Sequence, residues 1–251
     1  MPNGAVRIRS VGEYATHIDN TMRAYRNKRV IFRGQSLFEW ELIPSVFRPL
    51  KRELDQSMPR RVRATNSQAQ DILEKERHML EEFKMQAIPY LSRIPQYNDN
   101  WEWLALARHH NLPTRLLDWT EHAAAGLFFA VQKLNNGNKD SAVWCAILPD
   151  TLPSHINAGD PFNINQVHFY QPPHITARIT VQRSCFTVHP TDYLVNPHLW
   201  ATDLIKIEIP SDSRSIIRES LKTLGIHKAA LFPDLDGIAT HIKSKYAEFG
   251  E

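Results

Sequence analysis

The stretch TRLLDWTEHAAAGLFFAV, residues 114–131, joins a polar segment to one of the most apolar runs of the chain. Alanines and a glycine in its second half predict a helix over residues 120–134 that packs closely against a sheet. Pro113 favours an extended approach to the first half, which we interpret as a polar turn. Asp118 or Thr120 would then cap the helix. The stretch therefore predicts a buried helix with a polar segment at its start.

Helical and extended patterns alternate on both sides of this stretch. Apolar residues at helical spacing predict further helices over residues 10–27, 68–86, 98–110, 213–225 and 233–249. β-Branched and aromatic runs predict strands over residues 28–34, 140–149, 177–189 and 203–210, with a break around Arg183 and Ser184. Two polar, proline-bearing segments, residues 48–67 and 152–173, are interpreted as an irregular basic excursion and a long loop.

Capping residues mark several helix ends. Ser10 is expected to cap the first helix, and Asp99 or Asn100 is expected to cap the helix over residues 98–110. Gly225 is expected to stop the helix before it, and Pro233 to take the first position of the last helix.

This mixed order of elements predicts an α+β fold. We expect a single domain over residues 1–251, in which a mixed, mostly antiparallel β core is flanked by helices. The core would span residues 29–240, with an N-terminal helix at 10–27 and the basic excursion at 48–67. We find no internal repeat.

Composition excludes several classes of protein. The chain has 251 residues, of which 42% are hydrophobic and 23% charged, as in soluble globular proteins. Its formal net charge of +3 is far from the basic surplus of proteins that bind DNA mainly through the backbone. Two cysteines without metal-like spacing favour a reducing compartment, and the sequence shows neither an apolar leader nor a membrane-length apolar run. We therefore expect a cytoplasmic protein without a membrane partner.

The triplet Phe-Arg-Gly in VIFRGQS is the first candidate for a site. Arg33 and Gln35 lie on the same side of an extended segment, and Gly34 between them exposes backbone without a side chain. This arrangement suits an anion. In the alternative, Arg33 pairs with a carboxylate at the core edge and Gly34 marks a bulge or a close packing contact.

The predicted turn is the second candidate. Thr114 and Arg115 offer donors, and Trp119 supplies a large amphipathic plane. The start of a helix favours an anionic ligand because its backbone N–H groups are free. In the alternative, Asp118 is a simple cap, Trp119 is buried, and Arg115 pairs with Asp118 or Glu121.

Five blocks of the chain resemble the FRG domain family, named for its Phe-Arg-Gly motif. They are IFRGQS (31–36), WELIPS (40–45), LARHHNLPTRLLDWTEHAAAGLFFA (106–130), RITVQRSCFT (178–187) and LGIHKAALFPDLDGIA (224–239). The Pro-Thr-Arg-Leu-Leu-Asp-Trp-Thr block is highly specific. This sequence departs from the usual pattern at Arg108, Asn111 and Ser184. The family occurs mainly in bacteria and their phages, which implies a toxin or antiphage setting.

Two of these blocks are also similar to ADP-ribosyltransferases of the Arg-Ser-Glu type. Those enzymes bind NAD phosphate with an arginine near the end of a first strand, which Arg33 matches. Their second strand leads into an apolar helix, which residues 114–130 match with different polar residues. The resemblance implies an ADP-ribosyltransferase-like fold, NAD as substrate, no metal, and either an unknown macromolecular acceptor or hydrolysis of the glycosidic bond.

The third motif of those enzymes, a ribose-orienting glutamate, is replaced or displaced here. Gln182 stands where a loop-to-strand residue is expected, and the nearest strand glutamate is Glu208. An amide can hydrogen-bond a ribose but cannot stabilise an oxocarbenium-like transition state as a carboxylate does. Either Asp118 or Glu208 supplies the charge, or the chain binds NAD or a nucleotide without transfer. Gln182 as a sheet-edge amide and Glu208 as an outward-facing residue remain open.

The resulting hypothesis is a nucleotide-binding cleft that acts on NAD. We assign three residues to catalysis: Arg33, Asp118 and Gln182. We assign seven to substrate binding: Gly34, Gln35, His110, Thr114, Arg115, Trp119 and Thr120.

Other chemistries are less well supported. Adjacent His109 and His110 point to different faces of a helix, and the remaining histidines lack ligand spacing. Cys185 and His189 share one face of a strand, but no third group that would orient them is visible. With nine glycines, the chain has neither a phosphate loop nor a dinucleotide fingerprint.

The alternative from another class is a non-catalytic module that binds nucleic acid or protein through the basic excursion. Six cations lie in it: Arg48, Lys51, Arg52, Arg60, Arg61 and Arg63. Phe47 and Trp40 lie close by, as aromatic residues do in single-strand binders. Such a run is also typical of a solvated face.

Overall fold

A single seven-stranded sheet organises the protein in the computed structural model, which describes residues 6–57, 65–133, 138–150, 159–173, 177–191 and 203–246. The strands are β1 Val6–Arg7, β2 Arg29–Gln35, β3 Leu116–Thr120, β4 Ser141–Leu148, β5 His168–Tyr170, β6 Ser184–Val188 and β7 Asp203–Ile209. Their order across the sheet is β1-β7-β4-β2-β3-β6-β5. The β1–β7 pair is parallel and the other pairs are antiparallel. The prediction of an α+β fold with a mixed, mostly antiparallel core is confirmed.

Nine helices flank the sheet within these residues. They are α1 Val11–Ala24, α2 Arg48–Ser57, α3 Asn66–Ala87, α4 Asn100–His109, α5 Ala123–Val131, α6 Ala177–Gln182, α7 Arg214–Thr223, α8 Lys228–Leu231 and α9 Leu235–Lys243. Ser10 caps α1 by accepting from the Glu13 N–H at 3.1 Å, and Asp99 caps α4 by accepting from that of Glu102 at 3.1 Å. Gly225 adopts φ +81° after α7. These caps are as predicted. None of the helices in the described part of the chain combines the length and apolar character needed to cross a bilayer.

The polar turn predicted before α5 is wrong, because residues 116–120 form strand β3. All five pair with β6, from Leu116 opposite Val188 to Thr120 opposite Ser184. The helix begins only at Ala123 and is capped by His122, whose Nδ1 accepts from the Ala125 N–H at 3.4 Å. Asp118 is therefore a strand residue and caps no helix.

Other predicted boundaries also change. Residues 48–57 of the expected irregular excursion form α2, while residues 58–64 lie outside the described part. The strand expected at 177–189 divides into α6 and β6 at Arg183, which adopts φ +46°. Pro233 precedes the cap of α9, which is Asp234. The short strand β5 lies inside the segment expected to be a loop, residues 152–173, of which residues 152–158 are outside the described part.

The sheet consists of two halves joined by a single residue pair. β2 pairs with β4 over seven residues, and β3 pairs with β6 over five. Between β2 and β3, Phe32 opposite Thr120 is the one pair recorded among the described residues. Beyond that pair the two strands diverge, so the sheet opens at the residues that follow Phe32 and precede Thr120.

Two groups of helices cover one face of this divided sheet. Side chains of α1, α5, α7 and α8 pack on Phe32 and its neighbours in β4 and β7. Side chains of α3 and α4 pack on Leu116 of β3 and Phe186 of β6. Phe32 and Thr120 are directly paired, so their side chains lie on the same face of the sheet. Every second residue of a strand faces the same way, so Asp118 and Leu116 share the face of Thr120. Both groups of helices therefore lie on one face. A gap between them is left above the point where β2 and β3 separate.

Gly34 explains how closely β2 and α5 approach. A Cβ atom at this position would overlap the Gly126 carbonyl oxygen and the Ala130 nitrogen of α5. A Cβ on Gly126 would in turn come within 2.8 Å of the Phe32 Cβ. The close-packing explanation of Gly34 therefore has direct structural support.

Candidate functional site

A cleft of about 410 Å³ lies where the sheet opens. Its floor is formed by β2, β3 and β6, and its walls by the C-terminal ends of α4 and α5 together with α6 and α8. The volume is within the range of small-molecule sites. The cleft thus joins parts of the chain that are far apart in sequence.

Six of the predicted site residues line this cleft: Arg33, Gly34, Asp118, Trp119, Thr120 and Gln182. The proposed catalytic guanidinium, carboxylate and amide therefore share one cavity. The structure does not bring Gln35, His110, Thr114 or Arg115 into its lining.

Asp118 is held between two arginines. The Arg33 Nη1 donates to the Asp118 main-chain oxygen at 2.6 Å and to its Oδ2 at 3.3 Å. From the other side, Arg108 of α4 donates through Nε to Oδ1 at 3.0 Å and through Nη2 to Oδ2 at 2.9 Å. The Asp118 side chain nevertheless keeps 42% of its surface exposed. A ligand in the cleft can therefore reach this carboxylate.

These contacts keep Asp118 ionised. Burial would raise the pKa of its carboxyl, but Arg108 and then Arg33 lower that pKa by more, so it lies below its usual value. The pKa of Arg33 is lowered, mainly by burial and further by Arg108 and Arg48. Two guanidinium groups, those of Arg33 and Arg108, thus hold one carboxylate, and this corner of the cleft carries excess positive charge.

Two further cations share one aromatic ring on the opposite wall. The Lys228 Nζ lies 3.7 Å from the Phe232 ring centroid, and the Arg178 Cζ lies 4.4 Å from it. Within the described residues neither cation forms an ion pair with a carboxylate. Burial and Arg178 lower the pKa of Lys228, while the nearby carboxylate of Asp234 raises it. Asp234 acts on both cations from a distance, and Asp118 on Arg178, but neither carboxylate is in ion-pair contact with them. Two neighbouring cations of this kind favour an anion between them and solvent.

Gln182 braces the wall of the cleft. It ends α6 and is buried; its Nε2 donates to the Leu231 main-chain oxygen at 2.8 Å, and its Oε1 accepts from the Ser184 hydroxyl at 3.4 Å. The Thr120 hydroxyl donates to the Gln182 main-chain oxygen at 2.5 Å. These bonds fix α6 against β3 and α8, and the ribose-positioning role of Gln182 stays a prediction.

Trp119 forms wall rather than a stacking surface. Its ring is buried, and its Nε1 donates to the Thr187 hydroxyl at 2.8 Å. The more accessible aromatic side chain of the lining is Phe129 of α5, which is half-buried and meets Phe232 edge to face with centroids 6.1 Å apart.

Arg115 is part of the core. Its side chain is 0% exposed and donates through Nη2 to Glu76 Oε2 at 2.8 Å, while its own N–H donates to Glu76 Oε1 at 2.7 Å. Its Nη1 donates to the Pro161 main-chain oxygen at 3.1 Å. The partner expected from the sequence was Asp118 or Glu121, whereas the actual one comes from α3.

The remaining predicted residues lie outside the lining of the cleft. Thr114 is buried and accepts through its main-chain oxygen from the Val46 N–H at 3.3 Å. His110 is exposed at the end of α4. Gln35 accepts from Trp144 Nε1 at 2.8 Å and lines a separate cavity.

Two alternatives raised by the sequence receive no support from the geometry. Glu208 lies on β7 and pairs with Arg7 at 3.2 Å, away from the cleft. Cys185 is fully buried, and burial raises the pKa of its thiol above the ordinary value, which disfavours the nucleophilic thiolate. Among the described residues, no three His, Cys, Asp or Glu side chains are grouped as a metal site requires.

Sequence reasoning missed five polar residues of the cleft: His109, Gln132, Lys133, Arg178 and Lys228. Burial, then Arg178 and His110, lower the pKa of His109 to about 4, so its ring is neutral at physiological pH. Arg108, Asn111 and Ser184, the three departures from the resembled pattern, also line the cleft. The departures from the family pattern were therefore the signal in the sequence that pointed to these parts of the cleft.

Residues 28–139 match the FRG domain family. The protein contains an FRG domain. The matched segment supplies Arg33, Arg108 and Asp118, while Arg178 and Lys228 come from the part of the chain that follows it. No match was found among curated proteins or among solved structures.

Proposed function

We propose that the cleft, which the FRG domain forms together with the part of the chain that follows it, binds the pyrophosphate of a nucleotide, that this nucleotide is NAD, and that the protein transfers ADP-ribose from it or hydrolyses it. The observation that carries the proposal is the pair Arg178 and Lys228, two cations without a carboxylate partner among the described residues, in the same cleft as Arg33.

Charge selects the ligand. Five cationic side chains line the cleft: Arg33, Arg108, Lys133, Arg178 and Lys228. Among the described residues of this lining, Asp118 is the one carboxylate. A pyrophosphate carries two negative charges and several acceptor oxygens, so it suits a ring of guanidinium and ammonium donors better than a single carboxylate ligand would.

Aromatic side chains suit the remainder of a dinucleotide. Phe129 offers a half-buried ring face, and Phe232 lies beside it under the two cations. A nicotinamide or adenine ring that stacks there would leave its phosphates near the arginines. His109, neutral at physiological pH, can donate or accept a hydrogen bond at the same wall.

Asp118 would act in two stages. Before the nucleotide binds, its carboxylate occupies Arg33 and Arg108 as an internal anion. When the pyrophosphate takes over those donors, the carboxylate charge becomes available to the ligand. Its task is then to stabilise positive charge that develops on the nicotinamide ribose.

The proposed reaction exchanges one bond at the ribose C1′. The bond between the ribose C1′ and the nicotinamide nitrogen breaks, and its electron pair leaves with neutral nicotinamide. A lone pair of water or of an acceptor forms the new bond to C1′, and the attacking atom loses its proton to solvent. The Gln182 Oε1 would accept a hydrogen bond from a ribose hydroxyl. The bacterial toxin or antiphage setting remains part of this proposal and rests on the resemblance alone.

The test is incubation with NAD labelled in its adenylate and nicotinamide parts, with and without cell extract. Wild type is expected to release nicotinamide or to transfer label, and Arg33→Ala and Asp118→Ala to lose this activity. Arg29→Ala is the matched control, because Arg29 lies on the same strand but outside the cleft. If wild type neither releases nicotinamide nor transfers label under either condition, the catalytic proposal is wrong.

A further inference from the structure

A second cavity, of about 510 Å³, lies beside the first along β2. Arg33 lines the first cavity, and Gln35, two residues further on the same strand, lines the second. The N-terminal part of α2 and the segment after β2 complete its lining, with Trp40, Ile43, Arg48, Lys51 and Arg52.

Trp40 is an unusual surface residue. Its side chain is 49% exposed, although tryptophan normally buries most of its large apolar area. It lies at the rim of a concave, charged surface. An exposed aromatic plane beside cations is the arrangement on which bases of single-stranded nucleic acid stack.

The charges of this cavity leave two arginines in excess. Glu41 pairs with Lys51 at 3.4 Å, and Glu39 pairs with Lys139 at 3.4 Å. Among the described residues, Arg48 and Arg52 form no ion pair. Both carboxylates are therefore already matched by lysines, and the two arginines can bind phosphates.

Arg48 connects the two cavities electrostatically. Burial lowers its pKa most, and Arg108 of the first cavity lowers it further, while Asp118 raises it. Arg48 likewise lowers the pKa of Arg33 in the first cavity. The positive field thus continues from the first cavity to the second, and a polyanion bound in the second lies next to the proposed NAD site.

We infer that the second cavity binds single-stranded nucleic acid, with one base stacked on Trp40 and the adjoining phosphates on Arg48 and Arg52. A single strand is favoured over a duplex because duplex bases are already stacked on each other and cannot cover the ring. An acidic peptide without aromatic residues would satisfy the arginines but would offer no aromatic ring to stack on Trp40. That this strand is the acceptor of ADP-ribose rests on the proposed function; its binding does not.

The test measures binding of a fluorescent single-stranded oligonucleotide of about twelve bases to the whole protein by anisotropy. Trp40→Ala is expected to weaken binding by about tenfold, and Arg52→Glu by at least as much, with a shallower dependence of affinity on salt. The controls are Tyr90→Ala, which removes another exposed aromatic, and Arg26→Glu, which makes the same charge reversal outside both cavities. Both should bind as wild type does.

The result that overturns the inference is equal affinity of wild type, Trp40→Ala and Arg52→Glu, or equal binding of the duplex and of an acidic peptide. NAD turnover is measured in the same preparations and keeps the two proposals separate. Oligonucleotide binding that depends on Trp40 without NAD turnover supports the second cavity alone. NAD turnover without oligonucleotide binding supports only the first. Label on the oligonucleotide, lost in Trp40→Ala while nicotinamide release persists, supports its role as acceptor.

Discussion

Arg33 and Asp118 lie on neighbouring strands that do not pair at their level, and the Arg33 guanidinium joins them through hydrogen bonds of 2.6 Å to the main-chain oxygen and 3.3 Å to Oδ2. The Arg33 side chain thus takes the place of main-chain hydrogen bonds between β2 and β3 where the sheet opens. Because Arg108 holds the same carboxylate from α4, one acidic group orders two arginines in a cleft that is otherwise cationic. The arrangement is a structural link, and under the proposed function it is also the anion site.

Neutralising Asp118 should separate binding from chemistry. In Asp118→Asn the internal anion no longer competes for Arg33 and Arg108, so we expect NAD to bind several-fold more tightly by calorimetry. Turnover should fall by about a hundredfold or more, because the group that stabilises developing charge is lost. Weaker binding with unchanged turnover would contradict the two-stage role of this carboxylate.

The Arg115–Glu76 pair should matter for stability. Both side chains are buried, so Arg115→Ala leaves an uncompensated carboxylate and is expected to cost about 3–5 kcal/mol of unfolding free energy in urea. The exposed pair Arg23–Asp19 is the control, and Arg23→Ala should cost less than about 1 kcal/mol. Similar losses for the two variants would show that burial does not set the strength of the Arg115–Glu76 pair.

Gly34 should tolerate no side chain. A methyl group there overlaps the backbone of α5, so Gly34→Ala is expected to destabilise the protein by about 1–3 kcal/mol or more. Gly12→Ala is the matched control, since the nearest atom to its added Cβ is Ser10 Oγ at 3.8 Å, and a small gain of up to about 1 kcal/mol is expected. Thermal unfolding of both variants checks this, and a neutral Gly34→Ala would refute the packing explanation.

Local patterns predicted much of this fold. Strand β2, helix α3 and the caps Ser10 and Asp99 depend on residues close in sequence, and each lies where the pattern placed it. Strand β3 was missed because Arg115 and Asp118 make its sequence look like a polar turn. Their partners, Glu76 and Arg33, are distant in the chain, so no local pattern shows that these charges are satisfied inside a sheet.

The site was predicted in part for the same reason. Arg33, Asp118 and Gln182 were chosen from motifs, and they line one cleft. Arg178 was placed in a predicted strand, because helix α6 is only six residues long and gives little helical pattern. The helix ends just before Arg183, which has a left-handed backbone conformation. Lys228 belongs to a four-residue helix, which is too short for a periodic signal.

His189 should make stability depend on pH. Burial, then Arg33 and Arg115, lower its pKa from 6.5 to about 3. The unfolded chain therefore binds this proton first as pH falls through 6.5, and the folded state loses stability between pH 6.5 and about 3. One unit below 6.5 the loss is about 1.4 kcal/mol. Urea unfolding across this range should show a smaller slope in His189→Gln; an unchanged slope would exclude His189 as the cause.

The most direct test of the anion site is calorimetric titration of NAD into wild type and into the double variant Arg178→Ala/Lys228→Ala. The variant Arg26→Ala/Lys243→Ala removes two exposed positive charges outside the cleft and is the control. We predict saturable binding to wild type and control, and at least about a hundredfold weaker binding to the cleft variant, because two charge-assisted contacts are lost. Equal affinity in all three proteins, or no binding of NAD by wild type, would contradict the account.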